Sequence, residues 1–167
     1  MFLTLWNIYK FHADYAALDG FDPEQSSSEV ASRSSLDRWI LSRLATTAKN
    51  YHADFKGWSF HKACRDLEDF IVNDVSNWYV RRSRRRLWDD AETTDKIACQ
   101  HTLHEILTTV CRLVAPVSPF MVDTIHRNLT GETVHQAAWP LGVPGSLEGA
   151  TADNWDEEAA EATATLP

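Results

Sequence analysis

With 167 residues, 44% of them apolar and 24% charged, the chain can bury one sizeable core and is too apolar to be disordered. Its formal net charge of −8, taken whole, has the wrong sign for a nucleic-acid binder. No apolar run reaches the length of a membrane span and no basic-then-apolar leader opens the chain, so a cytoplasmic protein with no membrane partner is expected.

The chain begins inside a helical pattern, as though cut from a longer one. Leu3, Trp6, Asn7, Tyr9 and Lys10 open a short amphipathic segment running to about Tyr15. The stretch from Asp19 to Ser35 is rich in Ser, Asp, Glu and Gly, holds Pro23, and reads as an exposed linker or long loop. A second helix is predicted to start at Ser34 or Ser35, with Asp37 in its first turn where a carboxylate suits the helix dipole. Leu36, Ile40, Leu44, Thr47 and Tyr51 form its buried stripe, and Gly57 is a plausible stop.

A third helix should begin after Ser59 and run to about Trp88, because Phe60, Ala63, Cys64, Leu67, Phe70, Ile71, Val75 and Trp78 keep the helical period for many turns. Thr93 or Thr94 caps a fourth helix with Ile97, His101, His104, Leu107, Cys111 and Val114 as its stripe, ended by Pro116. Ser118-Pro119 restarts a short fifth helix in cap-then-proline order, with Phe120, Ile125 and Leu129 facing inward. Thr133 to Trp139 reads as extended and ends at Pro140.

There is no βαβ rhythm and no internal repeat. The fold class is therefore all-α, a helical bundle with a short extended segment near the C-terminus. Residues 1–140 make one helical domain; residues 141–167 form an acidic tail expected to be only partly ordered. Seven tryptophans should mostly be packed or held ready for a ligand. Cys64, Cys99 and Cys111 are odd in number with no CxxC pair, so they read as reduced core cysteines rather than a zinc site or disulfide framework.

The charge is polarised. Residues 141–167 carry Glu148, Asp153, Asp156, Glu157, Glu158 and Glu161 and no Lys or Arg; without them the rest of the chain sums to −2. Against that tail stands Arg81, Arg82, Arg84, Arg85 and Arg86, five cations in six positions that repel one another unless something negative compensates. On a helix, Arg81, Arg84, Arg85 and Trp88 share a side that continues the stripe of Leu67, Phe70, Ile71 and Trp78, while Arg82 and Arg86 project beside Val75 and Tyr79. Guanidinium forks match phosphate oxygens, and Trp78, Tyr79 and Trp88 could stack on unpaired bases. The competing reading is intramolecular: arginines paired with carboxylates such as Asp37 or Asp66, those continuing the apolar stripe first, and Trp78 in the core.

His101-x-x-His104-Glu105 has a metal-compatible spacing but is not HExxH and lacks a third ligand, so no metal site is expected. There is no phosphate-binding Gly-rich loop, no Gly-x-Ser-x-Gly elbow and no organised nucleophile and base, so no catalytic residue is assigned.

Four stretches, in order, carry a resemblance. Asn77-Trp-Tyr-Val-Arg-Arg-Ser-Arg-Arg-Arg-Leu-Trp88 resembles the signature of the anticodon-binding domain of isoleucyl-tRNA synthetases, in the branch that includes the eukaryotic cytosolic enzymes. Leu3-Thr-Leu-Trp-Asn-Ile-Tyr-Lys-Phe11 is similar to the helix after the catalytic core of class I synthetases for branched aliphatic amino acids, and Leu36-Asp-Arg-Trp-Ile-Leu-Ser-Arg-Leu44 to the next helix. Leu113-Val-Ala-Pro-Val-Ser-Pro-Phe120 with Thr133-Val-His-Gln-Ala-Ala-Trp-Pro140 resembles the closing helix and strand.

The resemblance implies an enzyme that, with ATP and Mg2+, attaches isoleucine to its tRNA and edits valine elsewhere in its chain. This chain lacks the His-Ile-Gly-His and Lys-Met-Ser-Lys-Ser motifs. It would therefore be non-catalytic and hold no cofactor, with the isoleucine tRNA anticodon stem-loop and the catalytic and editing domains of the same protein as partners. Arg81, Arg82, Arg84, Arg85, Arg86, Trp88 and Tyr79 are its candidate RNA-binding residues. The alternatives are the same domain from a valyl- or leucyl-type synthetase, a helical protein-interaction module, and, far behind, a metal-dependent hydrolase on His101 and His104.

Overall fold

A computed structural model of the chain describes residues 1–23, 33–88 and 93–140. The predicted linker centre and the acidic tail fall outside the described residues. Six α-helices are described: α1 (Phe2–Asp19), α2 (Ser35–Lys56), α3 (Phe60–Asp69), α4 (Arg81–Leu87), α5 (Thr94–Val114) and α6 (Pro119–Thr130). A π-helical segment, Phe70–Val80, joins α3 to α4 without a break. No strand occurs among the described residues, as an all-α bundle requires.

The helix ends follow the predicted chemistry. Ser34 caps α2 by accepting the Asp37 N–H at 3.2 Å, and Thr93 caps α5 by accepting the Lys96 N–H at 3.1 Å. Pro119 occupies the first turn of α6, where its missing N–H costs nothing. α1 outruns its expected end at Tyr15 because Ala16, Ala17 and Leu18 favour helix; it stops at Gly20, whose φ of 63° is the left-handed cap glycine tolerates.

Thr133 to Trp139 is not one extended run. Val134–Gln136 is a single 3-10 turn between extended Thr133 and Ala137. Asp123 fixes it, accepting the Thr133 hydroxyl at 2.6 Å and the Val134 N–H at 3.0 Å.

α5 is the axis. Leu103, Ile106, Leu107, Val110, Cys111, Leu113 and Val114 are fully buried, and so are Thr102 and Thr109 on other sides. A helix closed in all round is flanked by neighbours rather than seated on a surface. α2, α4, α1 and α6 surround it. Asp19 of α1 accepts hydrogen bonds from Lys96 Nζ (2.7 Å) and Gln100 Nε2 (2.6 Å) of α5. Arg33, inside the predicted exposed stretch, is instead buried: it donates to Glu105 at 2.8 Å and to Thr102 at 3.1 Å.

Cys99 and Cys111 lie in the core and Cys64 is half-buried; all three are free thiols. The tryptophans depart from expectation: none of the six described is fully buried, and Trp58 and Trp88 are largely exposed. Phe120, expected to face inward, is 87% exposed. Val122 and Ile125 set the buried stripe of α6, and Phe120 falls outside it. No described helix is long and apolar enough to cross a membrane.

Candidate nucleic-acid interface

The continuous helix from Phe60 to Leu87 buries Ala63, Leu67, Ile71, Val75, Tyr79, Ser83 and Leu87, an unbroken spacing of four. In a pure α-helix that row would drift by roughly 40° per step and leave the core within three or four steps. The π-helical segment prevents this. Each of its turns takes about one extra residue, so its 11 residues absorb roughly two and hold the row in line.

This shift corrects the sequence reading. Extrapolating the α period puts Trp78, Arg81 and Arg85 behind Leu67; the structure puts Tyr79, Ser83 and Leu87 there, one and then two residues later. Trp78 is half-buried rather than core. Arg81, Arg82, Arg84 and Arg85 are all exposed, so the arginines taken as likeliest to be internally paired point outward.

Two candidates are built into the fold. Tyr79 is fully buried; its hydroxyl donates to Asp37 Oδ1 at 2.5 Å and lies 3.6 Å from Cys99 Sγ. Burial holds its pKa well above the usual phenol range. Its ring therefore has no face for a base. Arg86 forks onto Asp37, with Nη1 to Oδ1 at 2.8 Å and Nη2 to Oδ2 at 2.7 Å. It also holds Asp95 through Nε to Oδ2 at 2.7 Å and Nη2 to Oδ1 at 2.8 Å. Burial alone would lower its pKa, but these carboxylates outweigh that and keep it raised. Asp37 is itself fully buried and takes a further hydrogen bond from the Ser34 hydroxyl at 2.7 Å. Two arms of Arg86, one phenol and one serine thus surround this carboxylate.

The remaining four arginines have no carboxylate within ion-pair distance among the described residues. At about 100° per residue, Arg81, Arg84, Arg85 and Trp88 spread over one side of α4 and Arg82 stands on another, with Ser83 and Leu87 inward. The Arg82 guanidinium lies over the Trp78 ring at 3.9 Å, a cation held against an indole face. Arg84 leans toward the Phe11 ring of α1 at 6.0 Å. Trp88, 59% exposed, ends the helix with its N–H on the Arg84 carbonyl. The result is a dense guanidinium surface with one exposed indole and one stacked cation.

The His101–His104 pair singled out in the sequence has a third member that spacing did not connect to it, His12. His12 of α1 is buried against Phe21 (ring centroids 5.9 Å) and His104 (6.0 Å), and Phe21 packs edge-on to His101 at 4.8 Å. The Leu5, Ile8, His12 spacing was the available signal. Burial, with some repulsion from neighbouring imidazoles, lowers His12 to about 3 and His104 to about 4; burial and the Arg33 charge lower His101. No group of three metal-ligating side chains occurs among the described residues.

Residues 37–165 match the family model described as the anticodon-binding domain of tRNA ligase. The chain is 42% identical over 138 residues to an isoleucine–tRNA ligase of Bacillus thuringiensis (strain Al Hakam), covering 83% of this chain and 13% of that protein. It is 45% identical over 141 residues to the isoleucine–tRNA ligase of Porphyromonas gingivalis, covering 83% and 12%. To that of Methanothrix thermoacetophila it is 35% identical over 147 residues, covering 84% and 14%. The chain thus spans about one-eighth of the length of these relatives.

Proposed function

The chain belongs to the anticodon-binding domain family of tRNA ligases, and from that premise we propose that it is the tRNA-recognition domain of an isoleucine–tRNA ligase, gripping the anticodon stem-loop with the outward side of α4. The observation that carries the reading is the set of four exposed arginines, Arg81, Arg82, Arg84 and Arg85, without a carboxylate partner, beside exposed Trp88. Such a surface is repulsive alone and is relieved by phosphate oxygens, while the Trp88 indole offers a stacking face to an unpaired base. Arg86 and Tyr79 serve this surface from behind by fixing α4 against α2 and α5.

Isoleucine rather than valine or leucine is supported by the relatives quoted above. In this reading the activation of isoleucine with ATP and Mg2+, and the editing of valine, belong to other domains of a cytoplasmic enzyme. This chain, with residues 1–140 as its helical body and 141–167 as an acidic extension, contributes RNA binding.

The test is titration of the chain with an isoleucine tRNA anticodon stem-loop at two salt concentrations. Cognate binding is expected to weaken with salt, each phosphate-contacting arginine adding about one to the slope. Replacing Arg81, Arg82, Arg84 and Arg85 together with Ala is expected to weaken binding on the order of 100-fold at low salt without loss of helix content. Trp88→Ala is expected to cost about 1–3 kcal/mol if one base stacks there. Affinity that the fourfold variant leaves unchanged would overturn the reading and favour a protein-interaction module.

A further inference from the structure

A concave site separate from the arginine surface lies between α5, α6 and the turn that follows α6. It is a cleft of about 470 Å³ lined by His104, Glu105, Thr108 and Arg112 of α5, His126 of α6, and Glu132 and Gln136 of the turn. That volume suits a small ligand. The arginine surface and this cleft share no residue: Asp95, which meets Arg86, and Arg112 lie 17 residues apart on α5, about 26 Å along the helix.

Arg112 is the unexplained group in this cleft. It is half-buried, yet among the described residues its guanidinium makes one hydrogen bond, from Nε to the Thr108 carbonyl at 3.3 Å. No carboxylate stands within ion-pair distance of it among the described residues. Burial lowers its pKa, as for a cation partly withdrawn from water, while its Nη atoms still open to the cleft. The two nearby carboxylates do not pair with it. Glu105 gives Oε1 to Arg33 at 2.8 Å, while its Oε2 is buried without a partner among the described residues and burial raises its pKa toward the neutral acid. Glu132 is exposed and makes no ion pair among the described residues. His104 adds a neutral imidazole, since burial keeps its pKa near 4. His126 is turned to the backbone, its Nδ1 2.8 Å from the Glu132 carbonyl. The Gln136 carboxamide is exposed at the rim.

We propose that this cleft binds a phosphate-type oxyanion, with the free Nη1 and Nη2 of Arg112 forked onto two of its oxygens and His104 and Gln136 as neutral hydrogen-bonding groups around it. A tetrahedral oxyanion suits one fixed cation with neutral donors on other sides. The proposal does not rest on the RNA reading, since the two surfaces share no residue.

The experiment is titration of the whole chain with inorganic phosphate at constant ionic strength, read by NMR at the Arg112 Nε–H and the backbone amides of 104–112 and 132–137. A saturable response in the millimolar range is expected, lost in Arg112→Gln and weaker in Arg112→Lys, which keeps charge but not the fork. Helix content checks that each variant is folded. Glu132→Gln supplies an independent arm: removing a competing negative charge should tighten phosphate binding a few-fold.

No saturable response, or one that survives Arg112→Gln in a folded protein, overturns the proposal. So does a response confined to Arg81–Arg85. The stem-loop distinguishes the source of the anion. If Arg112→Gln also weakens stem-loop binding about tenfold, the oxyanion is an RNA phosphate. If stem-loop binding is unchanged while the phosphate response is lost, it is a small phosphorylated compound.

Discussion

Replacing Asp37 with Asn is expected to lower the unfolding free energy by about 3–5 kcal/mol, the range for breaking a buried ion pair from one side. Asp37 is fully buried and accepts from Arg86, Tyr79 and Ser34 at once. An amide in its place would aim N–H groups at the guanidinium fork, donor against donor. Arg86 would keep Asp95, but that carboxylate is more than half exposed and screened by water. Urea unfolding followed by helical circular dichroism measures the loss.

Arg86→Met should cost at least as much, because it leaves the more deeply buried partner charged and without a cation. The Asp37→Asn, Arg86→Met pair should cost less than the sum of the two, since each already removes the same contact. Wild-type stability in Asp37→Asn would show that the bridge is dispensable. Arg86→Met binding RNA weakly at unchanged stability would show that Arg86 faces RNA rather than the core.

Acid is expected to destabilise the protein by about 2–4 kcal/mol between pH 7 and pH 5. The cause is the pair His12 and His104, lowered by burial from 6.5 to about 3 and about 4. Their folded pKa values lie below the unfolded one, so the unfolded chain takes up protons first. Their neutral-state stability is full above about pH 6.5 and is lost as pH falls toward the folded values. Glu105, raised by burial, opposes this at the acid end of the window. Thermal melts at pH 7, 6 and 5 provide the test. A His12→Leu, His104→Leu variant should lose much less across that range; wild-type stability flat from pH 7 to 5 would mean the imidazoles are not buried neutral.

Helix boundaries were legible because they depend on local chemistry. Ser34 with Asp37, Gly57 and Thr93 cap or stop the chain through bonds to their own neighbours, and Pro119 starts α6 through its fixed φ although Ser118 makes no side-chain cap bond; spacing reveals each. The arginine block was legible as a block. Which arginines face outward was not, because the assignment carries a phase from Leu67 across a segment whose pitch changes. Nothing in Phe70–Val80 announces the wider turns: Ile71 and Val75 fit either pitch, and only the burial of Tyr79 over Trp78 separates them. Tertiary closure hid the rest. α5 reads as a one-sided stripe, yet neighbours enclose Gln100, Thr102 and Thr109 as well, and no period distinguishes a buried polar side chain from a solvated one. The Arg112 cleft joins residues from two helices and a turn, a proximity that spacing does not encode.

The π-helical segment also makes α4 a crank. Its wide turns store a slack of about two residues, and rewinding them to ordinary α pitch would twist α4 by roughly half a revolution about its own axis, sending the arginines toward the core and Ser83 and Leu87 outward. The Arg86 clasp on Asp37 and Asp95 is the pin that resists that torque. Chain length between Phe70 and Val80 is therefore constrained in steps: losing two residues lets the segment rewind and leaves the arginine surface where it is, whereas losing one leaves the crank out of true and sets the pin against the core.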